Sequence, residues 1–241
     1  MLSIVKGLSV PQPADEIRPV APTASGAPTA SGWLKIYLIT DRKRFARERF
    51  LDNVEAALQG GVRDLQLREK DLPLKDLHAL AVALRQMTRR YNARLYINDR
   101  VDIAHMAGAD GVHLPETGLP ASEVKACYPH LLVGVSTHSL EGAKQAQKDG
   151  ADFITFGPVY ETPSKKQFGP PQGLDRLQDV CREVTLPVLA LGGINKDRVP
   201  AVLDKGAWGV ALISGIWDSS DIKQESMKYR QCFGGDNRHD G

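Results

Sequence analysis

One seven-residue pattern occurs four times in the sequence, and this repeat limits the fold more than any other feature. The copies are GVRDLQL, GADGVHL, GADFITF and GAWGVAL, which begin at Gly61, Gly108, Gly150 and Gly206. In each copy a glycine ends a helical stretch, where a left-handed residue is favoured, and an apolar strand follows. A pattern repeated in this way predicts four equivalent units, each with two strands and two helices.

Short apolar runs alternate with longer amphipathic stretches along the rest of the chain. The predicted strands are Lys35–Thr40, Asp64–Arg68, Arg94–Asn98, Gly111–Leu114, Leu131–Ser136, Phe153–Phe156, Val188–Leu191 and Gly209–Ile213. The predicted helices, with apolar residues at three- and four-residue steps, are Phe50–Gln59, Leu74–Tyr91, Val101–Ala107, Ala121–Cys127, Leu140–Lys148, Leu174–Val184, Lys196–Asp204 and Ile222–Cys232.

Eight strand–helix units in line predict a closed parallel α/β barrel, because right-handed crossovers place every helix outside the sheet. The alternative is an open doubly wound sheet. We favour the barrel because no GxGxxG turn follows the first strand and the repeat continues to the last strand. A chain of 241 residues has the usual size of one such barrel.

The two ends of the chain differ in composition from the repeat region. Residues 1–32 are rich in Pro, Ala, Ser and Gly and lack large apolar groups, which predicts a disordered extension. We expect residues 33–233 to form the barrel domain and residues 234–241 to form a second disordered tail.

Charge and composition exclude several classes of protein. The net charge is +2, from 31 basic and 29 acidic residues, so no broad basic surface for nucleic acid is expected. No apolar run approaches the roughly 20 residues of a membrane span, and the N-terminus lacks the apolar region of a signal peptide. Three widely spaced cysteines favour a reducing, cytoplasmic location. Small-molecule partners are therefore expected, and a homo-oligomer is compatible with the sequence.

Polar residues follow most of the predicted strands, at the end of a parallel barrel where active sites form. In strand order they are Thr40 and Asp41; Gln66, Arg68 and Lys70; Asn98 and Asp99; His113 and Glu116; Ser136 and His138; Thr162, Ser164 and Lys165; Gly192 and Gly193; and Ser214 and Gly215.

The side chains of Gln66, Arg68 and Lys70 alternate along one strand and should point the same way. Leu65 and Leu67 then face the helices. Charged groups inside a barrel mouth are costly unless they meet anions. Arg68 can fork onto phosphate oxygens, and Lys70 can act as a point charge. The alternative is a set of solvated surface charges.

Glycine-bearing turns follow the last two predicted strands. Gly192 and Gly193 let backbone N–H groups approach an anion, and Ser214-Gly215 forms the second such turn. Barrels of this type commonly hold a phosphate here. The alternative is that the glycines only make a tight turn.

Three other polar residues allow two interpretations each. Asp99 is either a cap for the helix from Val101 or a Mg²⁺ ligand, because Mg²⁺ prefers one or two carboxylates plus phosphates and water. His113 is either a functional group or a hydrogen-bonded core histidine, whereas His138 is better placed for proton transfer. No zinc motif such as CxxC or HExxH is present.

The motifs YLITDR, QLREK, INDRVDIA, GVHL, GVSTHS, FGPVYETPSKK, LGGI and ISGI occur in this order between Tyr37 and Ile216. Together they resemble the thiamine-phosphate synthase family and its sister branch, the thiazole tautomerases. The resemblance implies a TIM barrel in thiamine biosynthesis. It also implies a transferase that joins hydroxymethylpyrimidine diphosphate to thiazole phosphate, releases diphosphate and uses Mg²⁺.

The same resemblance implies roles for individual residues. The pyrimidine diphosphate would be held by Gln66, Arg68, Lys70, Asn98, Ser136 and Lys165. The thiazole phosphate would be held by Thr162, Ser164, Gly193, Ile213 and Ser214. Arg68, Lys70 and Lys165 would stabilise the departing diphosphate, and Asp99 would bind Mg²⁺.

One position departs from the synthase pattern. After GVHL the synthases have roughly Gly-Gln-Glu-Asp, with the Asp as second metal ligand, whereas this chain has Pro-Glu-Thr-Gly ending at Gly118. Glu116 is a nearby substitute ligand. The departure keeps open a thiazole tautomerase with His138 as acid/base, and a non-catalytic protein that binds thiazole or thiamine phosphate. We favour the synthase because a cluster of charges at a barrel mouth needs a ligand.

Overall fold

A computed structural model describes residues 34–162 and 170–234. Eight parallel strands close into a barrel in sequence order, with the last strand paired to the first, so the predicted barrel is confirmed. The strands are β1 Ile36–Ile39, β2 Asp64–Leu67, β3 Arg94–Asn98, β4 Gly111–Leu114, β5 Leu132–Thr137, β6 Phe153–Phe156, β7 Val188–Leu191 and β8 Gly209–Leu212.

Helices surround the barrel as predicted, with small differences at their ends. The α-helices are α1 Phe50–Gln59, α2 Leu74–Arg90, α3 Val101–Met106, α4 Ala121–Cys127, α5 Leu140–Lys148, α6 Gly173–Glu183, α7 Val199–Asp204, α8 Ser214–Trp217 and α9 Ile222–Gln231. Short 3₁₀ helices are formed by Arg42–Arg44, Arg47–Arg49 and Lys196–Arg198. The predictions missed α8 and the two 3₁₀ helices before α1, since three or four residues are too few to show a period.

The four repeated glycines act as the sequence predicted. Gly61, Gly108, Gly150 and Gly206 have φ values of 100°, 60°, 81° and 93°, which is the left-handed region that only glycine adopts at little cost. In every copy the strand begins three residues after the glycine. The repeat therefore fixes where the even-numbered strands start.

The aspartates of the two GAD copies tie neighbouring strands together. Asp110 accepts a hydrogen bond from the amide of Leu95, at 2.8 Å, and Asp152 accepts one from the amide of Val133, at 2.7 Å. Each aspartate also pairs with a cation from an earlier helix, Asp110 with Arg85 of α2 and Asp152 with Lys125 of α4. A conformational repeat is thus matched by a repeated polar contact.

Two apolar layers hold the barrel together. The outward faces of the strands, including Leu65 and Leu67, pack under the helices. A smaller cluster fills the interior, where the rings of Tyr37, Tyr96 and Phe153 meet edge to face at 5.3–5.4 Å. Aromatic pairs at this separation add roughly 0.5–1.5 kcal/mol to their burial energy.

A buried carboxylate closes the interior at the opposite end from the active face. Asp64 accepts a hydrogen bond from the Leu34 amide at 3.0 Å and one from the Tyr96 hydroxyl at 3.3 Å. It also forms an ion pair with Arg94 at 2.9 Å. Burial nevertheless dominates and raises the pKa of Asp64 to about 6.

Both ends of the chain and residues 163–169 lie outside the described residues. The extension and the tail predicted for residues 1–32 and 234–241 lie outside the described residues, apart from Gly234, and remain predictions. Across residues 34–162 and 170–234, no helix combines the length and the apolar content needed to cross a bilayer.

Candidate active site

The loops after β1 and β2 are braced against each other at the mouth of the barrel. The amide of Arg68 donates to the Thr40 hydroxyl at 2.9 Å. Glu69, only 5% exposed, accepts a hydrogen bond from the Arg42 amide at 3.0 Å. Burial raises the pKa of Glu69, and its hydrogen bonds to Thr40 and Arg42 oppose that rise. The brace leaves Arg68 partly exposed and Lys70 exposed at the mouth.

A chain of hydrogen bonds crosses the interior below this brace. Gln66 Nε2 donates to the Tyr37 hydroxyl at 3.2 Å, and that hydroxyl lies 3.2 Å from His113 Nδ1. His113 Nε2 then lies 3.0 Å from Ser136 Oγ. The Tyr37 hydroxyl accepts from Gln66, so the arrangement that gives every buried group a partner has the phenolic proton directed to Nδ1, and Nε2 then carries the imidazole proton and donates to Ser136. Two predicted substrate-binding residues, Gln66 and Ser136, are thereby joined through Tyr37 and His113, for which no role in substrate binding was predicted.

Of the two interpretations of His113, the structure supports a hydrogen-bonded histidine in the core. It is 2% exposed, and burial, helped by the nearby charge of Arg68, lowers its pKa to about 3. The imidazole is therefore neutral at physiological pH. Arg68 directly follows β2, two residues after Gln66, which is the first member of the hydrogen-bond chain.

Asp99 follows β3 in an unusual conformation. Its φ is 62°, which is uncommon for a residue with a side chain, although Asp tolerates it better than most. It does not cap α3, whose N-cap is Arg100. The exposed carboxylate of Asp99 accepts no hydrogen bond from any residue in the described ranges. The capping interpretation is therefore wrong, and a carboxylate with no hydrogen-bond partner in the described ranges remains at the mouth.

Glu116 is directed toward the start of α5. Its Oε1 accepts a hydrogen bond from the backbone amide of His138 at 3.2 Å, and a Cβ atom on Gly142 would lie 2.0 Å from the same oxygen. A carboxylate is favourable beside the first amides of a helix. Glu116 thus has a structural partner, which makes it a weaker candidate than Asp99 for a metal ligand.

The side chain of His138 is oriented by the neighbouring loop. Its Nδ1 lies 2.5 Å from the Gly157 carbonyl oxygen, so Nδ1 carries the proton in that contact. In the neutral ring Nε2 is then an acceptor with no partner among the described residues, on an exposed side chain. This arrangement suits a general base.

The loop after β6 runs alongside the glycine turn after β7. The amides of Val159 and Tyr160 donate to the carbonyls of Leu191 and Gly192, at 2.8 and 3.1 Å. Gly192 and Gly193 have φ values of 97° and 66°. A Cβ atom on Gly193 would lie 2.8 Å from Tyr160 Cβ. Both glycines are therefore needed for the conformation and for the close approach of the two loops.

Thr162 ends the described part of the β6 loop. Its hydroxyl oxygen is buried and has no hydrogen-bond partner among the described residues. A buried hydroxyl without a partner is costly, so this oxygen fits a ligand contact. Ser164 and Lys165, the next predicted site residues, lie outside the described residues.

The turn after β8 leads at once into a very short helix. Ile213 precedes α8, which has only four residues from Ser214. Trp217 in α8 donates its indole N–H to the Ile39 carbonyl at 2.7 Å, which closes the mouth between β8 and β1. With so short a helix, backbone amides rather than a helix dipole would make most of any anion contact.

Three residues that support the site were not singled out from the sequence. Tyr37 and Glu69 stand inside quoted motifs, but their partners come from other strands. Arg198 contacts both the β6 loop and the β7 turn. Their positions in or near the predicted strand ends could have marked these residues as candidates. Sequence spacing, however, does not predict which residues contact each other across a barrel. Within the described ranges, no three His, Cys, Asp or Glu side chains are grouped closely enough to hold a metal.

Comparison with known proteins identifies the family. The family model described as thiamine monophosphate synthase matches residues 36–216. The chain belongs to this family. The match covers every strand of the barrel and most of the loops described above.

Individual relatives agree with the family match. A Geobacter sulfurreducens protein is 53% identical over 192 residues, which cover 79% of this chain and 90% of that protein. The thiamine-phosphate synthase of Roseiflexus sp. strain RS-1 is 42% identical over 195 residues, covering 80% and 83% of the two chains. The solved structure of thiamine phosphate pyrophosphorylase from Pyrococcus furiosus has a TM-score of 0.76 and 37% identity, and the match covers 83% of this chain and 95% of that one.

Proposed function

We propose that this chain is a thiamine-phosphate synthase, which joins hydroxymethylpyrimidine diphosphate to thiazole phosphate and releases diphosphate. The observation that carries the proposal is the hydrogen-bond chain from Gln66 to Ser136, whose first member lies on the strand that Arg68 directly follows. It supplies polar contacts for a heterocycle directly beside a cation for its diphosphate.

The pyrimidine end of the substrate would contact the two ends of this chain. Because Gln66 donates through Nε2 to Tyr37, its Oε1 remains an acceptor for the pyrimidine. Because Ser136 accepts from His113, its own proton is available to the substrate. Asn98, half-buried at the end of β3, adds an amide on the same side of the mouth.

The diphosphate would lie against Arg68 and Lys70, with Lys165 as a third cation outside the described residues. Loss of diphosphate leaves positive charge on the pyrimidine and adds negative charge to the leaving group. Fixed cations that meet this developing charge lower the barrier. The brace through Thr40 and Glu69 holds the backbone of this loop, so less reorganisation is needed during the reaction.

Asp99 is the residue that fits a magnesium ion in this arrangement. Mg²⁺ usually takes one or two carboxylates and fills its other positions with water and phosphate oxygens, and Asp99 presents a free carboxylate at the mouth. A bound Mg²⁺ would supply charge stabilisation to the diphosphate. Glu116 and Gly118 do not complete a second protein ligand in their present arrangement.

The thiazole phosphate would lie across the mouth, between the loops after β6, β7 and β8. Thr162 offers a hydroxyl that has no partner among the described residues, and Gly193, Ile213 and Ser214 offer backbone and hydroxyl donors. Ser164 belongs to the same set by its position in the sequence. The ring nitrogen of the thiazole would then face the carbon that loses diphosphate.

A product assay with both substrates, with and without Mg²⁺, tests the proposal. We expect thiamine phosphate and diphosphate to form in equal amounts, and only when Mg²⁺ is present. Lys70→Ala should lower kcat by roughly 10²–10³-fold, the usual loss for one electrostatic donor. Lys75→Ala, on the exposed start of α2, is the matched control and should retain full activity. Absence of product at every Mg²⁺ concentration would exclude the synthase.

A thiazole tautomerase is the second candidate, and the orientation of His138 favours it. With Nδ1 held by Gly157, Nε2 is free to move a proton on a thiazole ring. An isomerase assay on the thiazole phosphate alone separates the two functions. If His138→Ala retains the full isomerase rate, this candidate is excluded.

A further inference from the structure

We propose that Arg198 is a positioning residue, which clamps the β6 loop onto the β7 glycine turn and thereby sets the affinity for the thiazole phosphate. The inference rests on the proposed synthase function. Arg198 ends the 3₁₀ helix Lys196–Arg198 and lies beyond the LGGI motif.

The first contact of the clamp fixes the glycine turn. Arg198 Nη1 donates to the Gly193 carbonyl oxygen at 2.6 Å, and hydrogen bonds from an ionised donor are stronger than neutral ones. The neighbouring carbonyl, that of Gly192, accepts from the Tyr160 amide at 3.1 Å. Both carbonyls of the turn are thus held by the protein.

Fixing the two carbonyls also fixes two amides. In a planar trans peptide the C=O and the following N–H point in opposite directions. The Gly192 and Gly193 carbonyls therefore orient the N–H groups of Gly193 and Ile194 away from Tyr160 and Arg198. These two N–H groups donate to no carbonyl in the described part of the chain. They form a pair of preoriented donors suited to a phosphate oxygen.

The second contact of the clamp fixes the β6 loop. The Arg198 guanidinium carbon lies 4.4 Å from the centre of the Tyr160 ring, within the range of a cation–π interaction. Tyr160 stands two residues before Thr162, whose hydroxyl has no described partner. One exposed side chain therefore touches both elements that would hold the thiazole phosphate.

The clamp affects one substrate more than the other. The Gln66–Tyr37–His113–Ser136 chain and the Arg68 loop belong to β1, β2, β4 and β5, and neither contains an Arg198 contact. Loss of Arg198 should therefore weaken binding of the thiazole phosphate and leave that of the pyrimidine diphosphate unchanged. If Arg198 had only a structural role, its loss would not raise the KM for one substrate without raising the other.

Steady-state kinetics with both substrates test this selectivity. For Arg198→Ala we expect the KM for thiazole phosphate to rise about tenfold, equal to roughly 1.4 kcal/mol, with the KM for the pyrimidine diphosphate unchanged. Arg198→Lys should lie between, because lysine retains the charge but not the planar fork. Tyr160→Leu should match Arg198→Ala, whereas Tyr160→Phe should match the wild type. Arg90→Ala, an exposed arginine paired with Glu55, is the control.

Calorimetric titration of thiazole phosphate into wild type and Arg198→Ala provides a readout that needs no turnover. A tenfold larger dissociation constant for the variant supports the clamp. This holds even if the wild type forms no product and the synthase proposal fails. Equal affinity for the two proteins overturns the clamp, as does a rise in both KM values by the same factor. The melting temperature of Arg198→Ala should equal that of the wild type.

Discussion

The hydroxyl of Tyr37 lies 3.2 Å from Nδ1 of His113, and both groups are buried in the middle of the barrel. With the hydroxyl as the donor in this contact, the imidazole proton lies on Nε2, where it faces Ser136. A buried polar chain of this kind is stable only if every member finds a partner. It therefore determines the direction in which Ser136 can donate.

The tautomer of His113 can be measured directly. Because burial lowers the pKa of His113 to about 3, we expect its ring nitrogens to stay neutral, with the proton on Nε2, from pH 5 to 8 in nitrogen-15 NMR spectra. Tyr37→Phe removes the donor to Nδ1 and should lower kcat/KM by roughly 5- to 30-fold, equal to about 1–2 kcal/mol. Tyr91→Phe is the control, because Tyr91 lies outside the barrel interior as the residue that follows α2. A titration of His113 above pH 5 would contradict the assignment.

Asp99 can be tested without disturbing its backbone. Asparagine tolerates the left-handed conformation as well as aspartate does, so Asp99→Asn should fold with unchanged stability. It should raise the Mg²⁺ concentration for half-maximal activity by roughly 10- to 100-fold, a range that even outer-shell partners reach. Asp102→Asn, three residues away and paired with Arg100, is the matched control. An unaltered Mg²⁺ requirement in Asp99→Asn would show that this carboxylate is not a ligand.

Restoring a carboxylate at position 118 requires a second change. A Cβ atom on Gly118 would lie 2.9 Å from Pro115 Cδ, so Gly118→Asp alone should cost about 1–3 kcal/mol of stability through crowding. The double variant Pro115→Gly/Gly118→Asp removes this contact. We expect it to need less Mg²⁺ than Pro115→Gly alone in the synthase assay. Equal Mg²⁺ dependence of these two proteins would show that the loop does not face the diphosphate.

Asp64 should make stability depend on pH in an unusual direction. Its folded pKa of about 6 lies above the ordinary value of 3.8, so between these values the folded state binds more protons than the unfolded state. Its contribution to stability therefore falls as pH rises through this window, by up to roughly 1.4 kcal/mol per pH unit. His113, with its lowered pKa, has the opposite slope and partly masks this trend.

Urea unfolding at pH 4, 5, 6 and 7 isolates the effect of Asp64. The free energy of unfolding of Asp64→Asn, minus that of the wild type, should increase from pH 4 to pH 6 and then level off. Asp179→Asn, on the exposed face of α6, should show a constant difference. A constant difference for Asp64→Asn as well would mean that this carboxylate does not titrate in the window.

Gly134 should be intolerant of any side chain because of space rather than conformation. A Cβ atom there would lie 2.3 Å from Phe153 Cζ and 2.7 Å from His113 Nδ1. We expect Gly134→Ala to lower the free energy of unfolding by about 1–3 kcal/mol, the usual cost of overpacking. Phe153→Leu should relieve part of this cost, so the double variant should be more stable than the sum of the single effects. Strict additivity would contradict the proposed contact.

Much of the fold could be predicted from the chain itself because it depends on local patterns. The four repeated glycines gave the starts of the even-numbered strands, and amphipathic periods gave seven of the eight predicted helices to within one residue at each end. Family motifs gave the order of the mouth residues. The short α8 was missed because four residues show no period, and the capping interpretation of Asp99 is wrong because α3 begins at Val101, which makes Arg100 its N-cap.

The partners of individual side chains were decided only by the tertiary structure. Sequence alone determined a (β/α)₈ barrel of this family, with cations after β2, a carboxylate after β3 and a glycine turn after β7. Closure of the barrel decided that Tyr37 contacts His113, that Glu116 turns toward α5, and that Arg198 joins two loops. The physical reason is that strand and helix periods act over a few residues, whereas these contacts depend on strand register and on packing between distant segments.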